Sequence, residues 1–278
     1  SEMCIRDRAY TNMTSDILKA RSDAKLNQGQ NFSRLMSFAM YGPKSPATNL
    51  LTEAELTNMN PQELVDRIHN QNSYKHRILY YGPSSSKDLL ATINQYHQVP
   101  AALKDIPAGN EYAYLETPVT KVLVAPYDAK QIYMAQISNL DKKYDPAIEP
   151  IRALYDEYFG GGMNSIVFQE MRETRGLAYS AWASIMPPSY LKYPYVLRTQ
   201  IATQNDKMID AVTTFNDIIN NMPESEAAFK LAKDGLTNRL RTERIIKGDI
   251  IWSYINAQDL GPVSYTHLRA HETPAHLV

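Results

Sequence analysis

Residues 159–180 read FGGGMNSIVFQEMRETRGLAYS. Three glycines in a row, Gly160, Gly161 and Gly162, cost backbone entropy and require a physical reason. A helix over Asn164–Arg175 follows, with Gly176 placed as its C′ residue and a strand beginning at Ala178. A helix that starts just after glycines turns backbone N–H groups toward an anion or a peptide carbonyl. A phosphate-loop reading fails, because no Lys-Ser/Thr follows the glycines at the required spacing. The plainer alternative is a tight helix-to-helix connection. Arg172 and Tyr179 bracket the helix end, the glycine turn and the strand start. With five donors on one side chain and a hydroxyl on the other, they can hold an oxyanion or a substrate backbone if folded together. The alternative for them is a salt-bridged surface Arg and a packed strand Tyr.

Working outward, Ala178–Ile185 and Tyr195–Thr203 alternate as strands, joined by a Pro- and Tyr-rich loop. Tyr190, Tyr193 and Tyr195 either line a peptide-binding wall or belong to an ordinary strand-and-loop surface. Helices are predicted over 206–221, 224–246 and 249–260, with Trp182 and Trp252 as core residues. On the N-terminal side, 147–159 is helical. Residues 119–125 (VTKVLVA) and 130–140 (KQIYMAQISNL) read as two paired strands around Pro126-Tyr127-Asp128. Residues 97–118 are a connector, 84–96 a serine-capped helix, and His76–Tyr81 (HRILYY) a strand. Thr52-x-x-Glu55 is a capping box, Asn60-Pro61 opens another helix, and 10–41 holds two helices broken at Gly29. The fold class is therefore α/β in two layers, with helices packed on a mostly antiparallel sheet. It spans residues 74–261 and is preceded over 9–73 by the helical end of a truncated earlier domain.

The two ends carry a different signal. Residues 1–8 (SEMCIRDR) and 262–269 (PVSYTHLR) can be encoded by reverse-complementary strings. Proteins have no physical reason for that relation, and the string resembles a transposase-based sequencing-library adapter. Residues 1–8 and 262–278 are thus expected to be adapter-derived, and Ala9–Gly261 to be an internal piece of a longer reading frame. With those ends set aside, no Cys remains and three His do: His69, His76 and His97. The tail's His271-Glu272-x-x-x-His276 imitates a zinc motif, but its second His is one residue too far and Pro274 breaks the helix. The net charge of −1 from 29 Lys+Arg and 30 Asp+Glu argues against nucleic acid as a partner. No run approaches the apolar length of a transmembrane segment.

The Gly-rich FGGGMNS followed by FQEMRETRGLAYS resembles the C-terminal type of domain in the insulinase/pitrilysin family of zinc metallopeptidases. More loosely, the likeness runs over most of residues 10–260, including the early YGPKSP stretch. It implies α/β domains arranged as two halves around a chamber. One half binds zinc through an HxxEH motif and a downstream Glu, and the other is zinc-free and reaches the substrate with an Arg and a Tyr. By motif these are Arg172 and Tyr179, with Gly160, Gly161 and Gly162 expected to permit close approach of substrate or partner half. No HxxEH exists in Ala9–Gly261. The resemblance therefore implies no catalytic residue and no cofactor here, with zinc in the missing half of the parent protein. It implies peptide substrate as partner, together with the N-terminal half of the same chain or a separate catalytic subunit. An extracytoplasmic, periplasmic setting follows from the same likeness. The alternative function is an inactive scaffold of the same fold.

Overall fold

The computed structural model describes residues 2–188 and 190–260. The tail's His271 and His276, like the expected adapter stretch 262–278, lie outside them. The chain divides into two units, Ser1–Asn31 with Lys44–Tyr112, and Phe32–Pro43 with Ala113–Val278.

The first unit is helical. It contains α1 (Glu2–Lys25), α3 (Glu53–Asn58), α4 (Pro61–Gln71) and α5 (Ser86–Tyr96), while α2 (Gln28–Tyr41) starts in it and runs on into the second unit. The capping signals act as expected. The Thr52 hydroxyl accepts the Glu55 N–H, the Glu55 carboxylate accepts the Thr52 N–H, and Asn60 caps α4 with Pro61 in its first turn. Against expectation, Gly29 lies inside α2, and the break falls at Leu26–Asn27. The Asn27 side-chain oxygen accepts the Gln30 N–H at 2.9 Å, so this asparagine starts the helix and the glycine rides in its first turn. Leu56 is buried, and its carbonyl accepts the Tyr10 hydroxyl at 2.5 Å.

The strand expected over 76–81 does not form among the described residues. The local pairing is a single parallel bridge, Tyr74 to Lys104, and Ile78, Leu79, Tyr80 and Tyr81 are exposed. Alternation selects a face but cannot supply the hydrogen-bond partner that a strand requires.

The second unit is built on β1 (Gln131–Lys143), β2 (Ser180–Met186) and β3 (Pro194–Gln204), an antiparallel sheet of order β1-β3-β2. The 119–125 stretch is not β1's partner. β1 pairs with β3, and Val119, Val122 and Val124 remain exposed. Sixty residues of separation hide that pairing from a local reading, which favours the nearest hairpin. The registers Met134↔Ile201 and Ala181↔Ile201 set one apolar row across the inner face of the sheet. Against it pack α6 (Glu149–Phe159), α7 (Ile166–Phe168) and α8 (Met208–Asn220), and α9 (Glu226–Thr242) packs on α6. Phe159, Val167, Met171, Ala183, Ile201 and Phe215 are sealed in the core. Each large member contributes about 1.5–3 kcal/mol. On the opposite face, Phe32 of α2 meets Tyr133 edge-on with ring centroids 5.5 Å apart. This is the expected α/β architecture of helices layered on an antiparallel sheet. Trp252, expected in the core, is instead 66% exposed, because α10 (Asp249–Leu260) buries only Ala257. Among the described residues no helix is long and apolar enough to cross a membrane.

Candidate functional site

The 159–180 segment is held against the sheet by α6, whose polar side is clamped to the strands. Arg152 pairs with Glu149 at 3.0 Å and with Asp156 at 2.7 Å, and donates to the Ile185 carbonyl at 3.1 Å. Asp156 in turn accepts the Ile185 N–H at 2.8 Å and the Ser184 hydroxyl at 3.0 Å. Burial pushes the Asp156 carboxyl above its usual range, outweighing the lowering effects of those two hydrogen bonds and of Arg152. Tyr195, read as a possible wall residue, is buried. Its hydroxyl donates to Glu149 at 2.5 Å, and burial first, then that bond, pushes it up to about 12. It is part of the clamp and offers nothing to a substrate.

The three glycines do different things. A Cβ on Gly160 would lie 2.2 Å from the Ala183 carbonyl oxygen, so this glycine lets α6 end directly against β2. A Cβ on Gly161 would lie 2.7 Å from the Asp156 carbonyl, and one on Gly162 would meet nothing within 4 Å. Gly160 is buried, while Gly161 and Gly162 are exposed. The buried Ser165 then caps the next helix, donating to the Gly162 carbonyl at 2.6 Å and accepting the Phe168 N–H at 3.4 Å.

α7 runs without interruption into a π-helical stretch, Gln169–Thr174. Such wide turns are rare and concentrate at functional sites. The Leu177 and Ala178 N–H groups both close on the Met171 carbonyl, at 2.8 and 3.1 Å, and Gly176 turns the chain at φ +56. Gly176 therefore fills the C′ role expected of it. The turn is fixed to β3 by the Thr203 hydroxyl donating to the Leu177 carbonyl at 2.5 Å, and Lys207 donates to the Gly176 carbonyl at 2.9 Å.

Arg172 and Tyr179 are brought together by this turn. The Arg172 guanidinium lies 5.7 Å from the Tyr179 ring centroid and 5.1 Å from that of Phe168, with Glu173 at 3.6 Å. Cation–π contacts of this exposed kind are worth about 0.5–1 kcal/mol each, enough to bias the guanidinium's position without covering its donors. The Tyr179 backbone is pinned by donating to Ala202 at 2.8 Å, while its side chain is 70% exposed. The geometry thus presents a forked cation and a phenol side by side at the surface, on a rigid base. Phe168, the second shelf for Arg172, was not singled out from sequence. Its position one helical turn before Arg172 was the available signal.

The described residues do not fit a catalytic zinc. No group of three or more His, Cys, Asp or Glu comes together among them, and a catalytic zinc takes three protein ligands.

The family model described as the peptidase M16 inactive domain matches residues 78–236. No curated protein matches the sequence. Among solved structures, a peptidase M16 inactive domain from Pseudomonas fluorescens superposes with TM-score 0.65 at 17% identity, covering 95% of this chain and 63% of that one. The periplasmic protease PqqL from Escherichia coli gives TM-score 0.65 at 14% identity, covering 96% of this chain and 30% of that one. The ferredoxin protease FusC, as a mutant in complex with Arabidopsis ferredoxin, gives TM-score 0.59 at 12% identity, covering 95% and 30%. The chain therefore spans less than two thirds of each of these relatives, and at such identities the likeness is one of fold. With the family model matching more than half of its length, the chain belongs to the peptidase M16 inactive-domain family.

Proposed function

We propose that this chain is the substrate-binding, non-catalytic half of a zinc-dependent metalloendopeptidase that degrades peptides in an enclosed chamber. The observation that carries the proposal is the juxtaposition of Arg172 and Tyr179 on the wide turn, both exposed. Arg172 donates to a substrate carbonyl or to the oxyanion that grows on it, and Tyr179 adds a hydroxyl donor beside it. Donors aimed at developing charge lower a barrier more than they tighten the ground state. The exposed Gly161 and Gly162, next to buried Gly160, leave the neighbouring surface low enough for an extended peptide. Zinc and its activated water belong to the other half, either elsewhere in the same parent chain or on a separate subunit. The ferredoxin bound to the structurally similar FusC supports a peptide or protein partner, and the periplasmic setting of PqqL supports an extracytoplasmic location.

The test is peptide cleavage by the complete peptidase carrying Arg172→Ala or Tyr179→Phe. Loss of one donor to the developing charge should cut kcat/KM by about 100-fold, mostly through kcat. Unchanged kcat/KM in both variants would remove the role in catalysis and favour an inactive scaffold of the same fold.

A further inference from the structure

His76 and His97, twenty-one residues apart in sequence, meet side by side in the first unit. Their Nε2 atoms are 2.7 Å apart, with the rings perpendicular and their centroids 4.9 Å apart. The other nitrogen of His76, Nδ1, lies 2.6 Å from the Tyr74 carbonyl oxygen. A carbonyl only accepts, so Nδ1 carries the hydrogen, and the neutral ring then has a lone pair on Nε2. Metal-binding histidines have this second contact almost without exception, because it fixes both the tautomer and the plane of the ring. The carbonyl itself is anchored: Lys75 N–H donates to Lys104 O and Lys104 N–H to Ser73 O, each at 2.8 Å, on either side of Tyr74. The His97 backbone is held as the C-cap of α5, with its N–H on the Ile93 carbonyl at 2.7 Å.

We propose that His76 and His97 form a two-histidine site for an imidazole-preferring divalent cation, for which Zn2+ is the probe. Two Zn–N bonds of about 2.0–2.1 Å at a tetrahedral angle place the nitrogens roughly 3.3 Å apart. The nitrogens need separate by only a fraction of an ångström from their present contact, with the rings tilting so that both lone pairs point at the ion. Without metal, His97 donates its Nε2–H to His76. With metal, His97 moves that proton to Nδ1 through solvent, and both Nε2 lone pairs face the cation. His76 is exposed and His97 half-buried, so water can complete the coordination. Of the two cations that flank His76 in sequence, Lys75 and Arg77, Lys75 is paired with Asp105 at 2.5 Å and so adds less repulsion. Imidazole pairs select zinc, nickel or copper over magnesium and calcium, which prefer oxygen. The bound ion would clip the C-terminus of α5 to the extended segment after Tyr74.

The experiment is titration of the full chain with ZnCl2, followed by calorimetry and by 15N shifts of the histidine rings. His76→Gln and His97→Gln should each weaken the strongest site by more than about 10-fold, given that even supporting partners of ligands are worth 10–100-fold. His69→Gln should bind as the unsubstituted chain does. The tail histidines His267, His271 and His276 are common to all four proteins and cancel. In the unsubstituted chain, zinc should move the Nε2 resonances of His76 and His97 together. Equal affinity in His76→Gln and the unsubstituted chain, absence of binding, or zinc shifts confined to other histidines would each overturn the proposal.

Discussion

Alanine substitution along Gly160–Gly162 sharply distinguishes packing from openness. A Cβ at Gly160 would stand 2.2 Å from the Ala183 oxygen, 2.4 Å from its nitrogen and 2.7 Å from its Cα. Ordinary contact begins at about 3.4 Å, so α6 and β2 must part by more than 1 Å. All three obstructing atoms are backbone, and no side chain can swing aside. The same strand is tied to α6 by Ser184 and Ile185 on Asp156, so the displacement also strains those bonds. Overpacking typically costs 1–3 kcal/mol, and a backbone clash of this depth belongs at the upper end, about 3 kcal/mol. For a chain of this size that lowers Tm by roughly 6–12 °C. A Cβ at Gly162 meets nothing within 4 Å, and its φ is not positive. Gly162→Ala should therefore change stability by less than about 0.5 kcal/mol, or raise it slightly by restricting the unfolded chain. Urea unfolding followed by circular dichroism measures both. Equal midpoints for Gly160→Ala and Gly162→Ala would refute the packing argument.

Gly176→Ala forces a Cβ into the left-handed region at φ +56 and should cost about 1–2 kcal/mol. With it, the Arg172–Tyr179 contact should loosen, read as a changed ring resonance of Tyr179; unaltered stability would contradict the turn assignment. Asp156 titrates above its usual range, so the folded chain holds that proton more tightly than the unfolded chain does. Its contribution is present in full below the ordinary value and is lost as pH rises through the raised one. Asp156→Asn cannot titrate. The stability of the unsubstituted chain relative to this variant should fall as pH rises from the ordinary carboxylate range through the raised one, and a constant difference would be the contrary result.

What was legible in the sequence was local. The Thr52–Glu55 box, the Asn60-Pro61 start and the Gly176 stop all formed, because each is settled within a few residues of chain. Long strands with a buried face were also legible: β2 and β3 differ from their expected bounds by a residue or two. Pairing was not. The choice of β3 over 119–125 as the partner of β1 depends on the apolar row through Met134, Ile201 and Ala181, which exists only after folding. The meeting of His76 with His97 is of the same kind. At the candidate site, the Arg172–Tyr179 spacing was visible, but the wide turn was not, since nothing in Gln169–Thr174 forbids an ordinary helix. The separate duties of three identical glycines were likewise invisible, because what singles out Gly160 is Ala183, more than twenty residues away.

That wide turn has a consequence for how its chemistry can be probed. A π-helical stretch is an α-helix that has absorbed one residue, and one residue of α-helix corresponds to about 100° of rotation. The bearing of Arg172 relative to Tyr179 is therefore fixed by chain length as well as by residue identity. Substitutions preserve length, so a mutational scan of 169–174 can leave the bearing intact at every position and still miss what sets it. A one-residue deletion alters the count itself, and only that kind of change interrogates the angular phase on which the paired side chains depend.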